Sequence, residues 1–178
     1  IGKRVADAVI LQPDMQLVGV GDVFTDYRIK TAVVTGLPIY ASLPEKAGEM
    51  QDAGIPVVGT LDDLLAETDV VVDCTPKGIG ASNLARYRAA GVQVVYQGGE
   101  KHSLTDHSFV AQANYATALG LHATRVVSCN TTSTVRTLLA LRAAGLLKKA
   151  RGVLMRRATD PWESDHSGIM NTIVPEPH

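Results

Sequence analysis

The segment RVVSCNTTSTVR, residues 125–136, ends an apolar run on Ser128 and Cys129. Asn130, Thr131, Thr132, Ser133 and Thr134 follow before a helix-like pattern resumes. A thiol at such a junction faces the unpaired N–H groups and the positive dipole end of the helix that follows it. Both favour the thiolate, the form that attacks a carbonyl carbon. The same N–H groups could hold a developing oxyanion. The alternative is a cysteine that merely ends a strand, with Thr131 or Thr132 capping the helix. The local pattern leaves both readings open. The other cysteine, Cys74, sits in the valine-rich run VVVDCT and reads as a core residue.

The whole chain limits what such a thiol could serve. Its 178 residues suffice for one domain with a sizeable core, or one domain and part of another. Hydrophobic residues make up 46% and charged residues 20%, ordinary values for a globular protein. A formal net charge of −1 gives no reason to expect nucleic acid or an anionic membrane as partner. Two cysteines are too few for a disulfide framework, so a reducing, cytoplasmic setting is expected. No apolar run has transmembrane length, and no metal site is expected. The uncapped helical pattern at the start and the proline-rich TIVPEPH at the end suggest a window from a longer protein.

Around the cysteine, valine-rich runs alternate with amphipathic helical patterns. A helix is expected over residues 1–12, with Ile1, Val5, Ala8 and Val9 on one face, then a strand over 15–21. A helix over 60–69 has Thr60 as N-cap and Asp63 completing a capping box. Strands follow at 70–75, 92–97 and 124–129, and a helix over 81–91 closes on Gly91. Residues 98–123 give no clear pattern. A helix from about Thr131 to Ala144 and a strand over 151–157 complete the order. The alternation predicts an α/β fold, a doubly wound parallel sheet covered on both faces.

The opening resembles the tail of a dinucleotide-binding unit. Such units place G-x-G-x-x-G between strand and helix and an acid about 20 residues on, for the ribose 2′-hydroxyl. Gly2 fits the third glycine and Asp22 the acid, although one glycine and one acid occur together by chance just as readily. An acid there favours NAD, because a carboxylate repels a 2′-phosphate. The loop CTPKGIGAS, residues 74–82, gives a second rim at the end of a strand, where open α/β sheets bind ligands. In the strand order 3-2-1-4-5-6, a first strand absent here would lie between 15–21 and 70–75. Those two strands are therefore expected not to pair directly.

The segments IGKRVADAVILQPDMQLVGV, DVVVDCTPKGIGA, QGGEKH, RVVSCNTT and VRTL…RR occur in this order in archaeal-type glyceraldehyde-3-phosphate dehydrogenases, which the chain resembles over essentially its full length. The resemblance implies a Rossmann-type dinucleotide-binding domain at 1–128 and the start of an α+β catalytic domain at 129–178. It implies a phosphorylating, NAD(P)-dependent oxidation of glyceraldehyde 3-phosphate in glycolysis or gluconeogenesis, through a thioester on Cys129. Ser128, Asn130, Thr131, Arg156 and Arg157 match the substrate-binding positions, the arginines serving the phosphates. Ile1, Gly2, Asp22, Thr75, Pro76, Gly78 and Gly98 match the cofactor-binding ones. Inorganic phosphate is the co-substrate, the assembly is a cytoplasmic homotetramer, and neither nucleic acid nor membrane is a partner.

The chain also departs from that pattern. Asp22-Val23 stands where the family has Lys-Thr, making NAD the preferred cofactor and NADP the second candidate. Ser133 replaces a small or apolar residue. None of His102, His107, His122, His166 and His178 matches the family's general-base histidine, so the chain by itself is expected to be inactive. Two other readings compete: a semialdehyde dehydrogenase or acyl-phosphate reductase of the same fold, and a nucleotide-binding module without catalysis.

Overall fold

The computed structural model describes residues 1–153. In chain order the elements are α1 (Gly2–Ile10), β1 (Val20–Asp22), α2 (Tyr27–Val34), β2 (Ile39–Ala41), α3 (Ala47–Asp52), β3 (Val57–Thr60), α4 (Leu61–Ala66), β4 (Val70–Asp73), α5 (Ile79–Ala90), β5 (Gln93–Tyr96), β6 (Ser108–Phe109), α6 (Ala111–Ala118), β7 (Ala123–Val126) and α7 (Cys129–Ala143). The chain divides into two compact units after Arg136, and the first contains every strand among the described residues. The fold is α/β with all-parallel sheets, as the alternation predicts.

The strands form two sheets, in the orders β1-β2-β3 and β4-β5-β7-β6. No ladder joins β1 to β4 among the described residues, in keeping with the expected order. Residues alternate between faces along each strand. Tyr40 therefore turns to one side and packs with Leu61, Leu64 and Leu65 of α4, while Ile39 and Ala41 turn to the other and pack with Ile29 and Met50. In the second sheet Val94 and Tyr96 face Tyr87 of α5 within the same cluster as Tyr40. One apolar layer thus runs across α4 and α5 and ties the sheets together. Each fully buried Val, Leu or Ile in it contributes about 1.5–3 kcal/mol.

Local chemistry sets the helix ends. Thr60 and Asp63 form the capping box that the sequence predicts, the Asp63 carboxylate accepting from the Thr60 N–H at 2.7 Å. After α7, the Leu146 N–H bonds the Leu141 carbonyl and the Gly145 N–H that of Arg142, a closure that needs the left-handed backbone of Gly145, φ +72°.

Three expectations need correction. The first strand is Val20–Asp22 rather than 15–21, because only those residues register with Ile39–Ala41, and Asp22 ends it rather than following it. Gly19 instead lies beneath the Tyr40 ring, where a Cβ would come within 2.5 Å of it. The last strand before the cysteine ends at Val126, and the helix begins at Cys129 rather than Thr131. α5 likewise starts two residues early, at Ile79, for a reason that belongs to the candidate site. The strand expected at 151–157 lies, from residue 154 on, outside the described residues.

Candidate active site at the carboxyl ends of the strands

Cys129 is the first residue of α7 and is exposed. The cap is Ser128. Its hydroxyl accepts from the Thr131 N–H at 3.2 Å and pairs with the Thr131 hydroxyl at 2.9 Å, while its carbonyl accepts from the Thr132 N–H at 2.8 Å. Ser128 thus satisfies two helix donors, those of Thr131 and Thr132, and the thiol stays exposed on the first turn with Asn130 beside it. Thr131 serves as the partner of the cap rather than as the cap itself. Cys74 is half-buried just after β4, and burial pushes its thiol pKa up, away from the reactive form. Of the two cysteines, only Cys129 has the exposure that attack on a substrate requires.

The loop after β4 is held from three sides. Asp73 is 3% exposed. Its carboxylate accepts from the Thr75 N–H at 2.9 Å, from the Thr75 hydroxyl, and from the Tyr87 hydroxyl at 2.8 Å. Burial, together with the Asp73 charge, drives the Tyr87 pKa far up, so the phenol remains a donor. Next, Gly98 lies against the Thr75 carbonyl, where a Cβ would sit 1.9 Å from the oxygen. Gly98 is thus required by close backbone approach between the ends of β4 and β5. Finally, the Glu100 carboxylate accepts from the Gly78 N–H at 2.7 Å and the Ala81 N–H at 3.2 Å. With Gly78 at φ +94°, this capping from a distant loop is what starts α5 early. Pro76 lies in the same short loop.

The other expected cofactor residues stand elsewhere on the fold. Gly2 opens α1 against β4, a built Cβ lying 3.6 Å from Cys74 Cβ, which is ordinary contact. Ile1 precedes that helix and supplies no side-chain cap. Asp22 closes β1 on the other sheet. Its Oδ1 accepts from the Val23 N–H at 2.7 Å and the Phe24 N–H at 3.1 Å, and its Oδ2 forms no bond among the described residues. An oxygen so placed suits a ribose hydroxyl. Arg156, Arg157, His166 and His178 lie outside the described residues.

Two histidines are held by hydroxyls. His102 Nδ1 meets Ser108 Oγ at 2.9 Å, and His107 bridges Thr124 at 2.7 Å and Thr117 at 2.9 Å. No group of three or more His, Cys, Asp or Glu residues is placed to hold a metal among the described residues. No described helix is long and apolar enough to cross a membrane. The sequence reading missed Asp73, Tyr87, Arg125 and Glu100. Glu100 gave one signal, an acid after two glycines at a strand end, but its partners lie about 20 residues upstream.

The exposed cysteine and the clamped rim both follow the carboxyl ends of parallel strands, where open α/β sheets bind ligands. Sequence relatives narrow the reading. The chain is 49% identical to the glyceraldehyde-3-phosphate dehydrogenase of Methanobrevibacter smithii, over 99% of this chain and 52% of that protein. It is homologous to the archaeal glyceraldehyde-3-phosphate dehydrogenases. The enzymes of Methanothermobacter thermautotrophicus and Thermococcus onnurineus are 48% and 49% identical, over 99% and 98% of the chain and 52% of each protein. The chain therefore spans about half the length of the curated glyceraldehyde-3-phosphate dehydrogenases it matches. No family model matches it.

Proposed function

We propose that the whole protein oxidises D-glyceraldehyde 3-phosphate to 1,3-bisphosphoglycerate, using inorganic phosphate and a nicotinamide dinucleotide. The observation that carries this reading is the exposed Cys129 on the first turn of α7, within a chain related throughout to enzymes of that name. The thiolate of Cys129 forms a bond to the aldehyde carbon, giving a hemithioacetal whose oxygen the amides of Cys129 and Asn130 can hold. The nicotinamide ring supplies the hydride acceptor. Phosphate then attacks the thioester carbon and the cysteine sulfur leaves as thiolate. Arg156 and Arg157 hold the two phosphates in this reading.

Thr75, Pro76, Gly78 and Gly98 line the rim that would take the cofactor's nicotinamide half. Ile1, Gly2 and the first amides of α1 suit its pyrophosphate, as helix starts suit anions, and Asp22 its adenosine ribose. We assign NAD as the preferred cofactor because an anion at Asp22 disfavours a 2′-phosphate. Residues 1–128 then form the dinucleotide-binding domain and 129–178 open the catalytic one, within a cytoplasmic homotetramer of glycolysis or gluconeogenesis.

The test is Cys129→Ser in the whole protein. Aldehyde oxidation is expected to fall by about a thousandfold or more, with NAD binding nearly unchanged. Substantial turnover in that variant refutes the reading.

A further inference from the structure

Glu100 links two parts of the sheet that no strand ladder joins in the same way. It is 5% exposed. Its side chain holds the loop after β4 through the Gly78 and Ala81 amides, at 2.7 and 3.2 Å. Its main-chain carbonyl accepts from Arg125 Nη1 at 3.2 Å, while Arg125 Nε donates to Ser108 Oγ at 2.9 Å. Arg125 belongs to β7, the strand that leads into Cys129. Gly80 packs closely against the same bridge: a Cβ there would lie 2.9 Å from the Tyr96 ring and 3.1 Å from Glu100 Oε1.

The three longest helices beside the site differ in what meets their first amides. Ser128 caps α7, nothing in the Ile1 side chain can cap α1, and a buried carboxylate fills the start of α5. A helix start is an anion site by construction. At α5 the chain supplies its own anion, and a phosphate arriving there would meet a like charge.

We propose that Glu100 is a positioning residue. It occupies the α5 anion site so that the rim at 75–80 accepts an uncharged part of the dinucleotide, the nicotinamide ribose, and it fixes that rim relative to the strand bearing Cys129. This rests on the reading of function above. Glu100 touches neither substrate nor cofactor; it acts through the Gly78 loop and through Arg125.

The experiment compares Glu100→Ala, Glu100→Asp and Glu100→Gln with the wild type in the whole protein. It measures NADH dissociation constants, kcat and KM, with and without added acetate. Glu100→Ala is expected to weaken NADH binding about tenfold and to lower kcat, with acetate restoring much of both by filling the vacated carboxylate site. Glu100→Gln keeps an acceptor oxygen and is expected within about threefold of wild type. Glu100→Asp cannot reach both amides and is expected to raise the cofactor KM at little change in melting temperature; it carries the test if the alanine variant does not fold. Wild-type kinetics in Glu100→Ala and Glu100→Asp overturn the inference. So does a loss that tracks melting temperature, equals that of Glu100→Gln and ignores acetate. A wild-type protein that binds neither NADH nor NADPH overturns the function reading, and this inference with it.

Discussion

The two sheets end in rims of opposite character. At β4 and β5 partners distant in sequence brace the rim: Tyr87 holds Asp73, Glu100 holds Gly78, and Gly98 lies in contact with Thr75. At β1 the side-chain bonds are local. The Asp22 carboxylate holds only the amides of the next two residues, and Phe24 beyond it is 61% exposed. A rim fixed by distant partners has one geometry, which suits the place where a hydride must travel a short, defined path. A rim fixed by itself can change side chains without disturbing the rest, which suits a choice between related cofactors.

The contrast breaks most sharply at Gly98. An alanine there must push the Thr75 backbone aside, and Gly98→Ala is expected to cost about 3 kcal/mol or more. Chemical denaturation measures it, and a loss under about 1 kcal/mol would mean that the β4–β5 approach is slack. Tyr87→Phe removes one donor from the buried Asp73 carboxylate. About 1–3 kcal/mol should be lost, read as a lower denaturation midpoint at unchanged slope.

The β1 rim should respond in the opposite way. Exchanging Asp22-Val23 for Lys-Thr is expected to move the ratio of kcat/KM for NADP over NAD upward by about tenfold or more, equivalent to about 1.4 kcal/mol, while the melting temperature barely moves. A wild type that already prefers NADP would remove the basis for this exchange.

The smallest effect lies away from both rims. Thr60→Ala deletes the α4 cap and should lower the melting temperature by about 2–4 °C. The Thr60 N–H, and after it the Thr60 hydroxyl, hold the Asp63 carboxyl below the usual carboxylate range, as the Arg86 guanidinium does for Asp62, and Thr60→Ala removes the hydroxyl's share alone. Lowered folded-state pKa values give stabilisation that is complete above the unfolded pKa, near 4, and is lost as pH falls below it. The acid limb of the wild-type stability curve should therefore be steeper than that of Thr60→Ala.

What the sequence made legible follows the same division. Valine runs marked β4, β5 and β7, and the Thr60–Asp63 pair marked the start of α4, because each is a local signal. The Cys129 helix start was legible too, although its cap proved to be Ser128, whose hydroxyl reaches the Thr131 amide. Residues 98–123 were opaque because distant partners order them. Glu100 needs Gly78, His107 needs Thr124, and α6 carries non-helical backbone at Asn114, whose side chain bonds Val110 and Ser108. The strand expected at 15–21 was overdrawn because hydrophobic content cannot show where a neighbouring strand begins its register.

Tyr87 and Tyr96, whose ring centres stand 6.4 Å apart in the shared core, make the protein a reporter of its own failure in alkali. Burial raises both phenols, that of Tyr96 to about 12. In solution an unfolded tyrosine ionises near pH 10, so deprotonation pulls the chain toward the unfolded state as pH climbs past that value. Phenolate absorbance from this pair then appears only where the core has opened, and in a variant with the exposed Tyr27 and Tyr115 replaced by phenylalanine ultraviolet absorbance follows the event without a label.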